Sequence, residues 1–312
     1  MAEPRNHRAG TVRKLIASSL VLGILVGTLA AKASAQNGEP KTGYAPINGL
    51  HLYYEIHGSG EPLLLLHGGL GAGQMFSTIL PELSKTHRVI TVDLQGHGHT
   101  ADIDRPFSMD AMAEDMAGLL NYLKIEKADV MGYSMGGAVG LRLTLQHPEV
   151  VNRLVLVSTA FSRDGWYPEV QAGMSQMGPA AAEPMKQTPM YQLYASTAPR
   201  PEDWPVLLTK MGELLRKQYD WSKEVSTLRV PTLLVFGDAD AVRTAHAVHF
   251  FELLGGGLKD GGWDRSGIST ARLAILPGLT HYNVFSSPAL VSATLLFLDA
   301  PISAVSRNAE KP

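Results

Sequence analysis

A serine at position 134 lies within Gly132-Tyr133-Ser134-Met135-Gly136, a G-x-S-x-G pattern in which small residues flank a hydroxyl on a sharp turn. A serine hydroxyl is a poor nucleophile until a base removes its proton, and the base needs a carboxylate to fix its tautomer. Both partners are available downstream in the order Ser, Asp, His. Asp240 closes Gly237-Asp238-Ala239-Asp240, and His281 closes Gly278-Leu279-Thr280-His281. The chemistry these three permit is attack on a carbonyl carbon through an acyl-enzyme, with Ser134 as nucleophile, His281 as general base and Asp240 as the acid that orients it. Asp238 is the alternative acid if the turn is shaped differently. His246 and His249 fall in an apolar helical pattern and His147 precedes Pro148, so packing or surface roles account for them.

Such a reaction develops negative charge on oxygen, and His67-Gly68-Gly69-Leu70 provides a place for it. The backbone amides of Gly69 and Met135 are the expected oxyanion hole, worth roughly 3 kcal/mol per donor. A phosphate cradle is the rival reading of this glycine-rich turn. It fails because Gly69-Leu70-Gly71-Ala72-Gly73-Gln74 lacks the third glycine of G-x-G-x-x-G and no Walker lysine follows. His97 and His99 are closely spaced, but no H-E-x-x-H pattern or carboxylate cluster accompanies them, so no metal is expected.

Several elements must hold these residues. Leu63 to Leu66, Val89 to Val92, Leu154 to Val157 and Leu233 to Phe236 are continuous apolar runs, as in strands buried on both faces of a parallel sheet. Ala128 to Met131 and Leu273 to Leu276 are weaker runs of the same kind. Met109, Met112, Met116, Leu119, Leu120 and Leu123 share a helical stripe behind a Ser108 cap, and strand alternating with helix implies an α/β fold. Gly43 to Gly58 alternates instead and turns at Asn48-Gly49, which predicts an antiparallel hairpin at one edge. The three chemical groups then follow strand C-terminal ends, where open α/β sheets bind ligands.

From residue 162 to 229 the alternation breaks, and seven prolines from Pro168 to Pro205 interrupt the helical pattern. This reads as a short-helix insertion covering the site. Its Trp166, Tyr167, Met190 and Tyr191 are candidate substrate-binding residues, the competing role being the insertion's own core. Gly255 to Gly267, with Trp263, reads as a surface loop.

Arg5, Arg8, Arg13 and Lys14 precede an apolar run from Leu15 to Ala31 that ends in Ala33-Ser34-Ala35. That pattern predicts a secretory signal over residues 1–35, cleaved after Ala35, in preference to a membrane anchor needing about 20 apolar residues. With no cysteine in the chain, disulfides and a lipid-modified N-terminus are excluded. Loss of the signal leaves 22 basic against 28 acidic residues, a formal charge of −6, which disfavours nucleic acid as a partner. The expected organisation is a core over 36–161 and 230–301, an insertion over 162–229, and a flexible tail over 302–312.

Together, His67-Gly68-Gly69, Asp93 to Gly98, Gly132 to Gly137, Gly237 to Asp240 and Gly278 to His281 resemble the α/β-hydrolase family, in its esterase, lactonase and cofactor-free haloperoxidase-like branch. The resemblance runs from Gly43 to about Phe285. It implies a mostly parallel eight-stranded sheet, a lid inserted after the sixth strand, and acyl-enzyme chemistry without a cofactor. Ala241-Val242-Arg243-Thr244 lacks the proline that many relatives carry after the acid. Serine rather than aspartate at position 134 separates the chain from relatives that form alkyl-enzyme esters. The expected activity is hydrolysis of an apolar small-molecule ester or lactone by an exported periplasmic or secreted enzyme. The alternatives are carbon-carbon hydrolysis of a diketone and a non-catalytic ligand-binding role.

Overall fold

A computed structural model describes residues 39–301. The signal expected over 1–35 and the tail expected over 302–312 lie outside the described residues. Eight strands run as β1 (Lys41–Ile47), β2 (Leu50–His57), β3 (Glu61–Leu66), β4 (His87–Val92), β5 (Ala128–Tyr133), β6 (Val151–Val157), β7 (Thr232–Ala239) and β8 (Ala271–Thr280). They form one sheet in the order β1-β2-β4-β3-β5-β6-β7-β8. The β1–β2 hairpin closes through Asn48-Gly49, and β2 pairs antiparallel with β4. The pairs from β4 through β3, β5, β6 and β7 to β8 are parallel.

Each of the six apolar runs lies inside a strand, and their continuity has a direct cause. Alternate residues point to opposite faces of a strand. Leu64, Leu66, Ile90, Val92, Leu154, Leu156 and Leu234 pack into one buried layer, while Leu63, Leu65, Val89, Val155, Val157, Leu233 and Val235 pack into the other. Both faces are covered, so neither parity can be polar. β8 outlasts its apolar run, passing through Pro277 to Thr280. Its edge position tolerates the proline, and the extra length delivers His281 beside the end of β7.

Seven helices of eight residues or more are described. α1 (Met109–Tyr122) starts at Ser108, whose hydroxyl accepts the Ala111 amide at 3.4 Å, and buries Met112, Met116, Leu119 and Leu120. α2 (Met135–Gln146) follows Ser134 directly. Between β6 and β7 come α3 (Pro168–Ser175), α4 (Pro189–Thr197) and α5 (Trp204–Arg216), joined by shorter turns. The prolines expected to interrupt helices here mostly begin them. Pro168 and Pro189 open α3 and α4, Pro205 lies in the first turn of α5, and Pro179 and Pro201 open short 3₁₀ turns. The first turn has no use for the missing N–H, and proline's fixed φ suits it. α6 (Thr244–Leu253) and α7 (Pro288–Leu298) complete the set. The stretch from Gly255 to Gly267 joins α6 to β8 without regular structure, with Trp263 fully exposed.

Two isolated bridges tie the insertion to itself and to the core at its base, Ser162 with Asp220 and Trp166 with Val242. Farther out, the Lys210 ammonium of α5 donates to the carbonyls of Ile103 at 2.7 Å and Arg105 at 3.0 Å.

Candidate active site

The turn that carries Ser134 is locked by backbone contacts. Ser134 adopts φ 53° and ψ −114°, a conformation that L residues rarely take and that persists only where the surroundings over-determine it. Its own amide donates to the Val157 carbonyl at 2.9 Å. A Cβ on Gly132 would lie 2.3 Å from the Gly136 carbonyl oxygen, and one on Gly136 would lie 2.3 Å from that of Leu66. Neither neighbour is a side chain that can swing away, so only glycine fits at these two positions. The turn thereby lifts the serine above the ends of β5 and β6 and places it at the start of α2, whose amide dipoles favour negative charge there.

Around this hydroxyl the three distant segments converge. The Ser134 hydroxyl lies 3.1 Å from His281 Nε2, and His281 Nδ1 lies 3.1 Å from Asp240 Oδ1. A proton on Nδ1, donated to the carboxylate, leaves Nε2 as acceptor for the serine. Tyr133 fixes the histidine backbone from below by donating its hydroxyl to the His281 carbonyl at 2.7 Å. The Trp166 ring meets the imidazole edge-on at a centroid distance of 5.3 Å.

Asp240 is buried. Its Oδ1 also accepts the Val242 amide at 3.1 Å, while Oδ2 accepts the Gly237 amide at 3.2 Å and the Ser158 hydroxyl. Burial alone would raise the carboxyl pKa, but the His281 contact together with Ser158 and Val242 outweighs it and holds the group below its ordinary 3.8. Asp238 is exposed and accepts the Gly278 amide at 2.8 Å, shaping the β8 turn without reaching His281.

The loop after β3 lies over the serine. A Cβ on Gly68 would be 3.5 Å from Ser134 Cβ, and one on Gly69 would be 4.0 Å from Met135 Cβ. The Gly69 and Met135 amides therefore sit on neighbouring backbone, and neither has a protein acceptor among the described residues. His67 fastens this loop. Its Nδ1 donates to the Gly68 carbonyl at 2.7 Å, and its Nε2 accepts the Leu94 amide at 3.0 Å. Burial lowers its pKa, keeping the ring neutral as that bonding requires. Asp93 braces the adjoining loops by accepting the Gly73 amide at 2.7 Å and the His99 amide at 2.8 Å.

The remaining histidines have structural surroundings. His97 is buried against Phe107, and burial pushes its pKa down to about 3. His99 pairs with Asp93 at 2.9 Å. His246 stacks on Phe161 and accepts that residue's amide at 3.2 Å, with its pKa pushed down to about 4 by burial. Among the described residues, no group of three or more His, Cys, Asp or Glu side chains is placed to hold a metal ion.

Ser134 and His281 open into a cavity of about 1110 Å³ that reaches the insertion helices. Trp166 and Met190 line it, whereas Tyr167 and Tyr191 do not. Tyr167 stands just ahead of α3 and is exposed, and Tyr191 packs edge-on against Trp204 at 5.4 Å within the insertion's own core. Consecutive positions on a strand end or helix face different ways, so Trp166 and Met190 meet the cavity while their neighbours Tyr167 and Tyr191 face away from it. The core wall, including Met75, Met109, Tyr282 and Phe285, has no sequence signature because those residues meet only through the fold.

Ser158 is a second feature that the sequence conceals. It stands just past β6 at φ 51°, with its amide bonded to the Val235 carbonyl at 2.8 Å and its hydroxyl on Asp240. It acts as a positioning residue for the carboxylate. Ser158→Ala is expected to lower kcat about tenfold with little change in KM, and to displace the acid limb of the kcat profile toward higher pH. A purely structural role would lower the melting temperature and leave that limb where it is.

The family model for the alpha/beta hydrolase fold matches residues 61–294. The chain is 36% identical over 132 residues to the 2-hydroxymuconate semialdehyde hydrolase of Pseudomonas sp. (strain CF600), covering 41% of this chain and 47% of that protein. The chain thus spans about half the length of that relative. It is 31% identical over 214 residues to the pimeloyl-[acyl-carrier protein] methyl ester esterase of Aeromonas hydrophila, covering 60% of this chain and 80% of the relative. The crystal structure of the enol-lactonase from Burkholderia xenovorans LB400 superposes with a TM-score of 0.63 at 23% identity, over 82% of this chain and all of that one. A parallel sheet that presents a strained serine to a histidine and a buried aspartate, and a family match spanning most of the described residues, lead to one conclusion: this chain belongs to the alpha/beta hydrolase fold family.

Proposed function

We propose that the protein hydrolyses a carboxylic ester or lactone through an acyl-enzyme formed on Ser134. The observation that carries this reading is the unbroken relay from the Ser134 hydroxyl through His281 to Asp240, with contacts of 3.1 Å at each step. As Ser134 Oγ attacks the acyl carbon, His281 Nε2 takes its proton, and the buried Asp240 carboxylate stabilises the imidazolium that results. The carbonyl oxygen gains charge beside the Gly69 and Met135 amides at the positive end of α2. His281 then returns its proton to the leaving oxygen, and water repeats the sequence to release the acid.

The helices over residues 162–229 serve as the lid of this site in the proposal. The run of basic then apolar residues ending at Ala35 supports an exported enzyme with a cleaved signal. The relative named as a semialdehyde hydrolase favours a second reading, carbon-carbon hydrolysis by the same serine.

A fluorophosphonate probe tests the reaction class. It should add covalently to Ser134 of the folded protein, seen as a mass shift on the peptide that contains it. An unlabelled Ser134 in folded protein would remove the catalytic reading in favour of a non-catalytic binding role.

A further inference from the structure

We infer that the substrate is an uncharged carboxylic ester bearing a long hydrocarbon chain, an inference that rests on the serine-hydrolase reading above. Its first support is space. The cavity beside Ser134 measures about 1110 Å³. That exceeds the ~300–1,000 Å³ of ordinary small-molecule sites, and an acetyl or methyl group would leave nearly all of it unfilled. The second support is the wall chemistry. Met109, Met135, Met174, Met177, Met190 and Met211 line the cavity from both the core and the insertion. Unbranched thioethers adapt to a flexible chain and offer it no hydrogen bond to satisfy.

The third support is the state of the charges that border the cavity. Asp110 is already engaged, accepting from Arg142 at 2.6 Å and Gln146 at 2.8 Å. Lys217 donates to the Phe107 carbonyl at 3.3 Å. Arg163 is buried and donates to the Leu215 carbonyl and, at 3.3 Å, to the Ser175 hydroxyl. Leu215 lies in the last turn of α5 and Ser175 closes α3, so the guanidinium sits near the partial negative charge of two helix C-termini. Glu169, on the exposed side of the cavity, is acidic. A carboxylate carried at the far end of the chain would be stripped of water among the methionines, near the acidic Glu169, which is unfavourable.

The test compares kcat/KM for p-nitrophenyl acetate and p-nitrophenyl decanoate, and for methyl and decyl acetate, all below their aggregation concentrations. A methylene that leaves water for apolar walls contributes up to about fourfold, so eight that are half desolvated give about two hundredfold in at least one series. The decanoate carrying a terminal carboxylate, matched in length, should lose at least tenfold against plain decanoate. Met174→Trp, which fills part of the cavity, should lower the long-to-short ratio at least tenfold. Flat series on both sides of the ester, or equal turnover of the ω-carboxylate, would overturn the inference while leaving the ester hydrolase intact. Loss of all ester turnover together with an unlabelled Ser134 would overturn both.

Discussion

Ser134→Ala is expected to reduce kcat for p-nitrophenyl ester hydrolysis by a factor on the order of 10⁵, with KM changed little. In the proposed reaction the hydroxyl forms the acyl bond, and the variant leaves the 3.1 Å His281–Asp240 contact in place with no nucleophile to activate. His281→Ala should cost nearly as much, and the double variant hardly more than either alone, because the two groups act as one device. Residual turnover would come from binding and the Gly69 and Met135 amides. The alanine methyl occupies the same strained backbone, so a thermal melt of Ser134→Ala should stay close to the parent. Full turnover in this variant would place the chemistry elsewhere.

Asp240→Asn is expected to lower kcat about 10⁴-fold at neutral pH. The carboxylate accepts from four directions, namely His281, Val242, Gly237 and Ser158. An amide nitrogen in the same place must turn a donor toward other donors, or force His281 to carry its proton on the nitrogen that faces Ser134. Either outcome removes the acceptor that the serine needs.

The same residue predicts a pH dependence of stability. The folded-state pKa of Asp240 lies below its ordinary 3.8, so its contribution is fully present above that value and is lost as pH falls through the depressed one. The gap in melting temperature between parent and Asp240→Asn should therefore be constant from neutrality to about pH 5 and narrow below pH 4. Asp93 is lowered as well, since the His99 contact and amide bonds outweigh its burial, so the parent as a whole should lose stability in that acid range. A gap that widens on acidification would contradict the assignment of Asp240 as a buried, bonded anion.

The sheet and the meeting of Ser134, His281 and Asp240 were readable from the residues because each has a local cause. Strands buried on two faces must be apolar at every position, which is why runs as short as Leu63 to Leu66 mark them. The Ser134 turn needs glycine at 132 and 136 for steric reasons that hold in any sequence. Asp240 and His281 follow the β7 and β8 runs at the distance a strand end requires.

The insertion was less readable, and its prolines show why. Proline forbids the same backbone bond whether it ends a helix or begins one, and only the following residues decide between them. The cavity wall was harder still. Tyr167 and Tyr191 have the right chemistry but the wrong direction, and direction depends on how α3 and α4 settle against the core. Ser158 was hidden because its partner is 82 residues away and nothing about a serine after a strand announces an unusual φ.

The insertion leaves the sheet beside Ser158, at the end of β6, and returns at Thr232, the start of β7; the Ser162–Asp220 bridge closes it on itself and the Trp166–Val242 bridge ties it to the core two residues past Asp240. Each of α3, α4 and α5 carries its own proline start. α3, α4 and α5 supply cavity wall but no member of the Ser134–His281–Asp240 relay, so a change within them alters what the cavity admits and leaves that relay in place. Substrate range and catalytic rate thereby fall to different stretches of the chain.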